Sequence, residues 1–267
     1  MLNRRAQPTS PATHHQLFGF RVQVSAKTDP GRVRPTNEDS YLLLARAGVF
    51  AVADGLGGLE AGEVASTIAL THLEALSTDL NQYQKSGPCP RTIAQLHENI
   101  AIVNKRTHEH STRVSKTMAT TLAMVQFHPH GVLIAHVGDS RVYLWRNTHL
   151  LQLTSDHSLV NQLLDQGTLT AQEASRSPQR HIITRAIGAA PVVAPSIQEQ
   201  PLRNGDALLL CTDGLTGMLS DTDIARIIHS GNGAADSMVE QLVTAANQAG
   251  GQDNITVLLL IIEAAEV

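Results

Sequence analysis

The sequence predicts an α+β fold, antiparallel strands with helices gathered in blocks between them, on three observations. Short apolar runs at residues 49–53, 132–137, 207–212 and 255–260 are preceded by Gly, Asp or Asn, the pattern of buried strands rather than helices. Residues 120–127, 132–137 and 141–145 follow one another with only His128-Pro129-His130-Gly131 and Gly138-Asp139-Ser140 between them, turn-sized spacing for an antiparallel meander. Helical periodicity is confined to blocks instead of following every strand, which argues against a parallel βαβ sheet.

Taken in order, residues 1–16, with Pro8, Ser10, Pro11 and His14-His15, fit no period and are expected as a flexible tail before a single domain over 17–265. Strands are expected at 20–26, 40–45 and 49–53. Residues 60–80 read as a helix with Val64, Ile68, Leu73 and Leu76 on one side, and 92–110 as a second carrying Ile93, Leu96, Ile100 and Val103. Residues 84–90, with Gly87, Pro88 and Pro90, read as a loop between them. After the strand run, 158–166 form a short helix ended by Gly167, and Thr170 with Glu173 has capping-box spacing. Strands resume at Ala207. Helices are expected over 221–229, opened by Ser220 and Asp223, and over 234–248, stopped by Gly250-Gly251, before a last strand at 255–262.

Composition narrows the function. A chain of 267 residues, 42% hydrophobic and 16% charged, is long and apolar enough to bury a proper core. Aromatic residues make up only 3%, which leaves few rings to stack on nucleobases, and the net charge of −4 comes with no polybasic run, so no nucleic-acid partner is expected. No apolar stretch approaches the roughly 20 residues of a membrane span, and none is expected to meet a membrane. Arg4-Arg5 is followed by polar, proline-containing residues rather than an apolar segment, which removes an export-signal reading. Two cysteines without a CxxC pair suit a reducing compartment, and Cys211, inside an apolar run, reads as a small buried hydrophobe. The expectation is a cytoplasmic protein.

The chemistry is expected at the strand ends. Asp54-Gly55, Asp139-Ser140 and Asp213-Gly214 each follow an apolar run, and Asp253-Asn254 precedes one. A carboxylate there is held by the sheet yet reaches solvent. Were these aspartates to converge, protons or divalent cations would have to neutralise them, and an oxygen-only donor set favours Mg²⁺ or Mn²⁺. Asp54-Gly55-Leu56-Gly57-Gly58 opens a helix but lacks a P-loop lysine and dinucleotide spacing, so metal ligation through Asp54 and close backbone carbonyls is the better reading than phosphate cradling. Arg34 precedes Glu38 and Asp39 by four and five residues. It suits a bidentate clamp on phosphate oxygens; the plainer reading is a surface arginine beside an acidic turn.

Arg34-x-x-x-Glu38-Asp39, Asp54-Gly55-x-Gly57-Gly58, Gly138-Asp139-Ser140-Arg141, Asp213-Gly214 and Asp253-Asn254 occur in an order that resembles the metal-dependent protein phosphatases, the PPM family or type 2C serine/threonine phosphatases, and most the compact bacterial branch. Leu153-Thr154-x-Asp156-His157-Ser158 and Ala186-Ile187-Gly188 add to the likeness, which runs from about residue 18 to 262. The resemblance implies two antiparallel sheets packed as an α-β-β-α sandwich with a metal site at one end. It implies hydrolysis of phosphoserine and phosphothreonine in proteins by direct attack of a metal-bridging hydroxide, with no covalent phosphoenzyme. In that scheme Asp54 bridges two cations, Mn²⁺ or Mg²⁺, with the Gly55 carbonyl on one. Asp213 and Asp253 complete the pair, Glu38 acts through bound water, Asp39 supports from beside it, Asp139 helps hold a third cation, and Arg34 binds the substrate phosphate. The implied partners are substrates of a cognate serine/threonine kinase, and nothing in the chain asks for more than a monomer. Residues 158–188 correspond to the family's flap, where Arg176, Arg180, His181 and Arg185 are either a patch that steers phosphorylated segments or a solvated face with ordinary ion pairs. One departure stands out. Many eukaryotic members carry a histidine after the Asp-Gly as proton donor to the leaving alkoxide; here that position is Leu56, which leaves the donor to metal-bound water or a group on the insert.

Other readings fare worse. His108-x-His110 and His128-x-His130 lack cysteine or HExxH company for a catalytic zinc. Asp213-Gly214-Leu215-Thr216 resembles the nucleophile segment of haloacid-dehalogenase enzymes but lacks their second aspartate two residues on. A phosphoprotein-binding pseudophosphatase would be marked by loss of Asp54, Asp213 or Asp253, and all three are present.

Overall fold

Continuous apolar strands need cover on both faces of their sheet, and the fold supplies it in four layers. The computed structural model describes residues 12–57, 61–79, 90–179 and 181–263. One sheet has the order β1 (Thr13–Leu17), β2 (Phe20–Asp29), β13 (Ile255–Glu263), β12 (Ala207–Cys211), β9 (Arg141–Arg146), β10 (His149–Gln152). The other runs β11 (Ser196–Pro201), β8 (Gly131–Val137), β7 (Leu122–His128), β4 (Val49–Ala53), β3 (Ser40–Leu44). A two-stranded ribbon pairs β5 (Gly55–Leu56) with β6 (Ala119–Thr120), and every ladder is antiparallel.

Side chains alternate between two kinds of cover. Leu208 and Leu210 of β12 and Leu258 and Leu260 of β13 meet Phe50 and Val52 of β4 and Val125 and Phe127 of β7 between the sheets. Phe50 and Phe127 pack edge-on there, centroids 5.8 Å apart. The intervening Val49 and Ala51 pack with Leu70, Leu73, Leu96 and Ile100 of α1 (Ala61–Asp79) and α2 (Pro90–Val114). Leu209, Val257 and Leu259 are covered from the opposite side by α6 (Asp221–Ser230) and α7 (Ala235–Gln248), in a cluster that includes the fully buried Cys211. The expected sandwich with helices on both outsides is the fold that forms.

Local signals hold where they are strongest. Ser158 caps α3 (Leu159–Asp165) by accepting from Asn161 N–H, and Thr170 and Glu173 make the complete capping box of α4 (Ala171–Arg176). Ser220 likewise accepts from Asp223 N–H at the start of α6. Four expectations need correction. The tail reading of 1–16 fails at its end: Thr13–Leu17 is an edge strand, with His14 opposite Gln23 and Leu17 buried, because the free edge of β2 offers its backbone a ladder. Val64 is exposed; α1 lays Ala61, Ala65, Ala69 and Leu73 inward, small side chains that allow close approach. Gly138-Asp139-Ser140 is no meander turn. It carries the chain from β8 in one sheet to β9 in the other, with Gly138 at φ 103° and pressed against Thr121. Finally, β11 runs through polar residues that no apolar run marks. The loop expected at 84–90 lies outside the described residues except Pro90, which begins α2.

Candidate active site

The apolar strands end at one place. A cavity of about 500 Å³ is lined by Arg34, Glu38, Asp54, Gly55, Asp213 and Asp253, among others. Six of the eight residues singled out for the site from sequence therefore share one concavity, and the other two, Asp39 and Asp139, do not line it. They are nearly buried, at 7% and 8% exposure, yet their charges act on those that do line it.

Each side chain is fixed by the element that carries it. Asp54 leaves β4 with its N–H donated to Thr121 Oγ1 (2.9 Å), while its carbonyl accepts from Thr121 N–H (2.9 Å) and Thr120 Oγ1 (2.8 Å). Asp213 opens α5 (Asp213–Thr216) directly after β12. Asp253 precedes β13 and accepts from Arg34 Nη2 at 2.7 Å. Asp39 takes hydroxyl donors from Thr212 (2.8 Å) and Thr256 (2.7 Å) on one oxygen. Gly55 is needed because its backbone abuts that of Gly62 at the start of α1 and the Glu38 carbonyl, leaving no room for a Cβ.

The electrostatics are those of crowded carboxylates. Burial pushes the Asp54 carboxyl well above the usual range, and Asp39, Asp213, Asp139 and Asp253 push it further. Burial also raises Asp213, helped by Asp253 and opposed by the neighbouring Asp54 carboxyl. Both open partly onto the cavity, which tempers the burial contribution. Asp139 is pushed up to about 7, by burial first and Asp213 second, and burial raises Asp39 in the same way. One buried oxygen each of Asp39, Asp139 and Asp213 has no hydrogen-bond partner.

These features fit hard divalent cations. Such a cation would offset the repulsion and engage the orphaned oxygens. No three carboxylate, imidazole or thiol side chains among the described residues already close around one point. A bound ion would complete its coordination with backbone carbonyl and water, as Mg²⁺ commonly does.

Several positioning residues escaped the sequence reading. The Asn254 amide accepts from Glu38 N–H (2.8 Å) and donates to the carbonyls of Pro30 (3.0 Å) and Thr36 (2.8 Å), stapling the loop that carries Arg34 and Glu38 to the start of β13. His157 brackets Gly138, accepting its N–H on Nδ1 (3.2 Å) and donating its own backbone N–H to the Gly138 carbonyl (2.9 Å). Its ring stacks on His136, centroids 4.5 Å apart. Arg141 forks onto Asp156 through Nε (2.9 Å) and Nη2 (2.7 Å). The pairs lie in Leu153-Thr154-x-Asp156-His157-Ser158 and Gly138-Asp139-Ser140-Arg141, so the motifs were visible and their job was not. Of the four basic residues expected in the flap, His181 lines the cavity, whereas Arg185 lies against His157 Nε2 (3.3 Å) and the Ala194 carbonyl (3.4 Å). Arg180 and the Arg176 side chain lie outside what is described.

Known proteins share this fold. The family model described as protein phosphatase 2C matches residues 35–259. Protein phosphatase PhpP of Streptococcus pneumoniae is 40% identical over 243 residues, spanning 90% of this chain and 97% of that protein. The crystal structure of the Mycobacterium tuberculosis serine/threonine phosphatase PstP/Ppp superposes with a TM-score of 0.82 at 34% identity, covering 91% of this chain and 99% of that one. The catalytic domain of PstP in complex with two manganese ions gives 0.78 at 32% identity, covering 91% and 98%. With the motifs in order, the sandwich formed and the carboxylates gathered at its mouth, the chain belongs to the protein phosphatase 2C family of serine/threonine phosphatases.

Proposed function

We propose that this cavity removes phosphate from phosphoserine and phosphothreonine side chains of proteins with the help of two divalent cations, Mn²⁺ or Mg²⁺, and a third near Asp139. The observation that carries the reading is the gathering of mutually repelling carboxylates, three with orphaned buried oxygens, around one cavity that also holds an arginine. Asp54, Asp213, Asp253 and the Gly55 carbonyl would hold the pair, with Glu38 acting through water and Asp39 supporting from behind. Bound there, the cations supply Lewis-acid polarisation of the phosphoryl oxygens and a more acidic water. The related PstP domain with two manganese ions supports the count.

The rest is done by the chain. Arg34 is half exposed and its guanidinium is paired with Asp253, so it can exchange that carboxylate for two non-bridging phosphate oxygens. Asn254 keeps Arg34 and Glu38 in register with Asp253 during that exchange. The substrates in the cell would be proteins marked by a cognate serine/threonine kinase, met by a cytoplasmic monomer. No helix among the described residues is long and apolar enough to cross a membrane.

The test is hydrolysis of p-nitrophenyl phosphate and of a phosphothreonine peptide after EDTA treatment and after add-back of Mn²⁺, Mg²⁺ or Zn²⁺. Activity on both substrates, lost with EDTA and restored by Mn²⁺ or Mg²⁺, is the expected result. Activity on the small ester alone would overturn the protein-substrate reading, and a folded protein inert with every metal would overturn catalysis in favour of phosphoprotein binding.

A further inference from the structure

We propose that Arg32, just outside the cavity wall, reads an acidic side chain two or three positions from the phosphorylated residue of the substrate protein. The loop that carries Arg32 is exposed yet fastened. Gly31 N–H donates to Asp29 Oδ1 (2.9 Å), Arg32 N–H donates to the Gly251 carbonyl (2.7 Å), and the Asn254 amide donates to the Pro30 carbonyl (3.0 Å). Gly31 lies so close to the Asp253 and Gly251 carbonyls that no Cβ would fit there. The stem of Arg32 crosses Gly251, with its Cγ 2.8 Å from where a Cβ on that glycine would stand. Gly251 adjoins Gln252 and Asp253, which line the cavity, and Arg34, two residues on from Arg32, lines it as well. Arg32 itself stands behind that wall, at its outer edge.

The charge of Arg32 has no use within the fold. Arg34, Arg141 and Arg146 each pair with an aspartate. Among the described residues no carboxylate pairs with the Arg32 guanidinium, which is exposed. Val33, between the two arginines, is 66% exposed, so the outer side of the loop is open to an incoming chain. A free guanidinium on a fastened backbone is a preorganised fork for a carboxylate. It also stands in a protein of net charge −4, which otherwise repels acidic segments. Geometry sets the spacing. The Cα atoms of Arg32 and Arg34 can be at most about 7 Å apart, and an extended substrate advances about 3.3–3.6 Å per residue. With Arg34 on the phosphate, the fork of Arg32 therefore meets a side chain two or three residues along the substrate. Arg34 serves the group inside the wall, and Arg32 serves what flanks it.

The proposal rests on phosphoprotein hydrolysis at this cavity, and the experiment separates the two. Phosphothreonine peptides carrying a single Glu, Gln or Lys at each of the three positions on either side are given, with Mn²⁺, to the unaltered protein, to Arg32→Gln and to Arg32→Glu. The control is p-nitrophenyl phosphate, which is too small to reach Arg32. The unaltered protein should favour Glu over Gln, two or three positions from the phosphothreonine, by about threefold to fivefold in kcat/KM. That preference should lie in KM and shrink with added salt. Arg32→Gln should erase it. Arg32→Glu should transfer it to Lys at the same position, an exchange that the loss of a merely structural contact would not produce. The three proteins should hydrolyse the small ester within about twofold of one another. The absence of a Glu preference in the unaltered protein, its survival in Arg32→Glu, or an equal loss on the small ester would overturn the role of Arg32. If the unaltered protein hydrolyses none of the phosphothreonine peptides, it is the phosphoprotein reading itself that fails.

Discussion

The interior of the sandwich and its mouth are built by the same strands and obey opposite rules. Leu208, Leu210, Leu258 and Leu260 are buried in a continuous apolar layer, where each side chain removed from water favours folding. At the ends of those strands stand Asp213 and Asp253, and on the facing sheet Asp54, carboxylates that repel one another, and one buried oxygen of Asp213 has no partner. One region holds the fold together and the other works against it. The difference teaches that the site tolerates its charge only because the layer behind it is so well packed. A cation would remove the conflict rather than add to an already satisfied structure.

That contrast can be broken most sharply at Asp213. Asp213→Asn should lower turnover at least about 10³-fold, the loss of several kcal/mol of cation-assisted stabilisation, while raising the thermal midpoint of the metal-free protein, because it removes a buried charge that Asp253 opposes. A lowered midpoint would show that the mouth stabilises the fold after all. Phe50→Ala tests the opposite pole. It empties the centre of the inter-sheet layer and should cost about 3–5 kcal/mol in denaturant unfolding, with kcat per folded molecule unchanged. Arg34→Ala should raise KM for phosphorylated substrates about tenfold, the worth of one charge-assisted contact, with a smaller change in kcat; an unchanged KM would sink its phosphate role.

The smallest effect concerns His157. Burial first, then His136 and Arg185, hold its ring down at about 3, below the ordinary histidine value of 6.5. The unfolded chain therefore takes up a proton here before the folded one does. Stability from this neutral ring is complete above about 6.5 and drains away as pH falls toward about 3. His157→Gln should flatten that acid-side slope in thermal midpoints measured from pH 7 to 4, and an unaltered slope would move the acid sensitivity elsewhere.

What was legible in the sequence follows from range. Apolar runs ended by Asp-Gly or Asp-Ser betray buried strands with carboxylates at their tips, because composition and turn chemistry are local. Thr170 with Glu173 and Ser158 before α3 are equally local, and they cap as read. The edge strand β3 was legible at 40–45, but the polar edge β11 was not: it pairs only with β8 and carries Gln198, Glu199 and Gln200, since an edge facing solvent imposes no apolar pattern. Nor was the crossing at Gly138-Asp139-Ser140, which looks like a hairpin turn until the sheets are assembled. The supports of the site were hidden for the same reason. Asn254 meets Glu38 across 216 residues, and Thr256 meets Asp39 across 217. Residue type marks Asn and Thr as ordinary polar positions, and only the folded partner reveals their work.

The place of β13 sets a clock on the protein's making. It is the last of the strands among the described residues, yet it lies between β2 and β12 in the middle of its sheet, and it is preceded by the residues that tether Arg34 and Glu38. A chain still on the ribosome without residues 253–263 has two separated sheet halves and no Asp253. The long-range pairings that finish the fold also finish the site. Until that strand is made, neither the closed sheet nor the Arg34–Asp253 pair can form, so the architecture and the cavity are completed by one element.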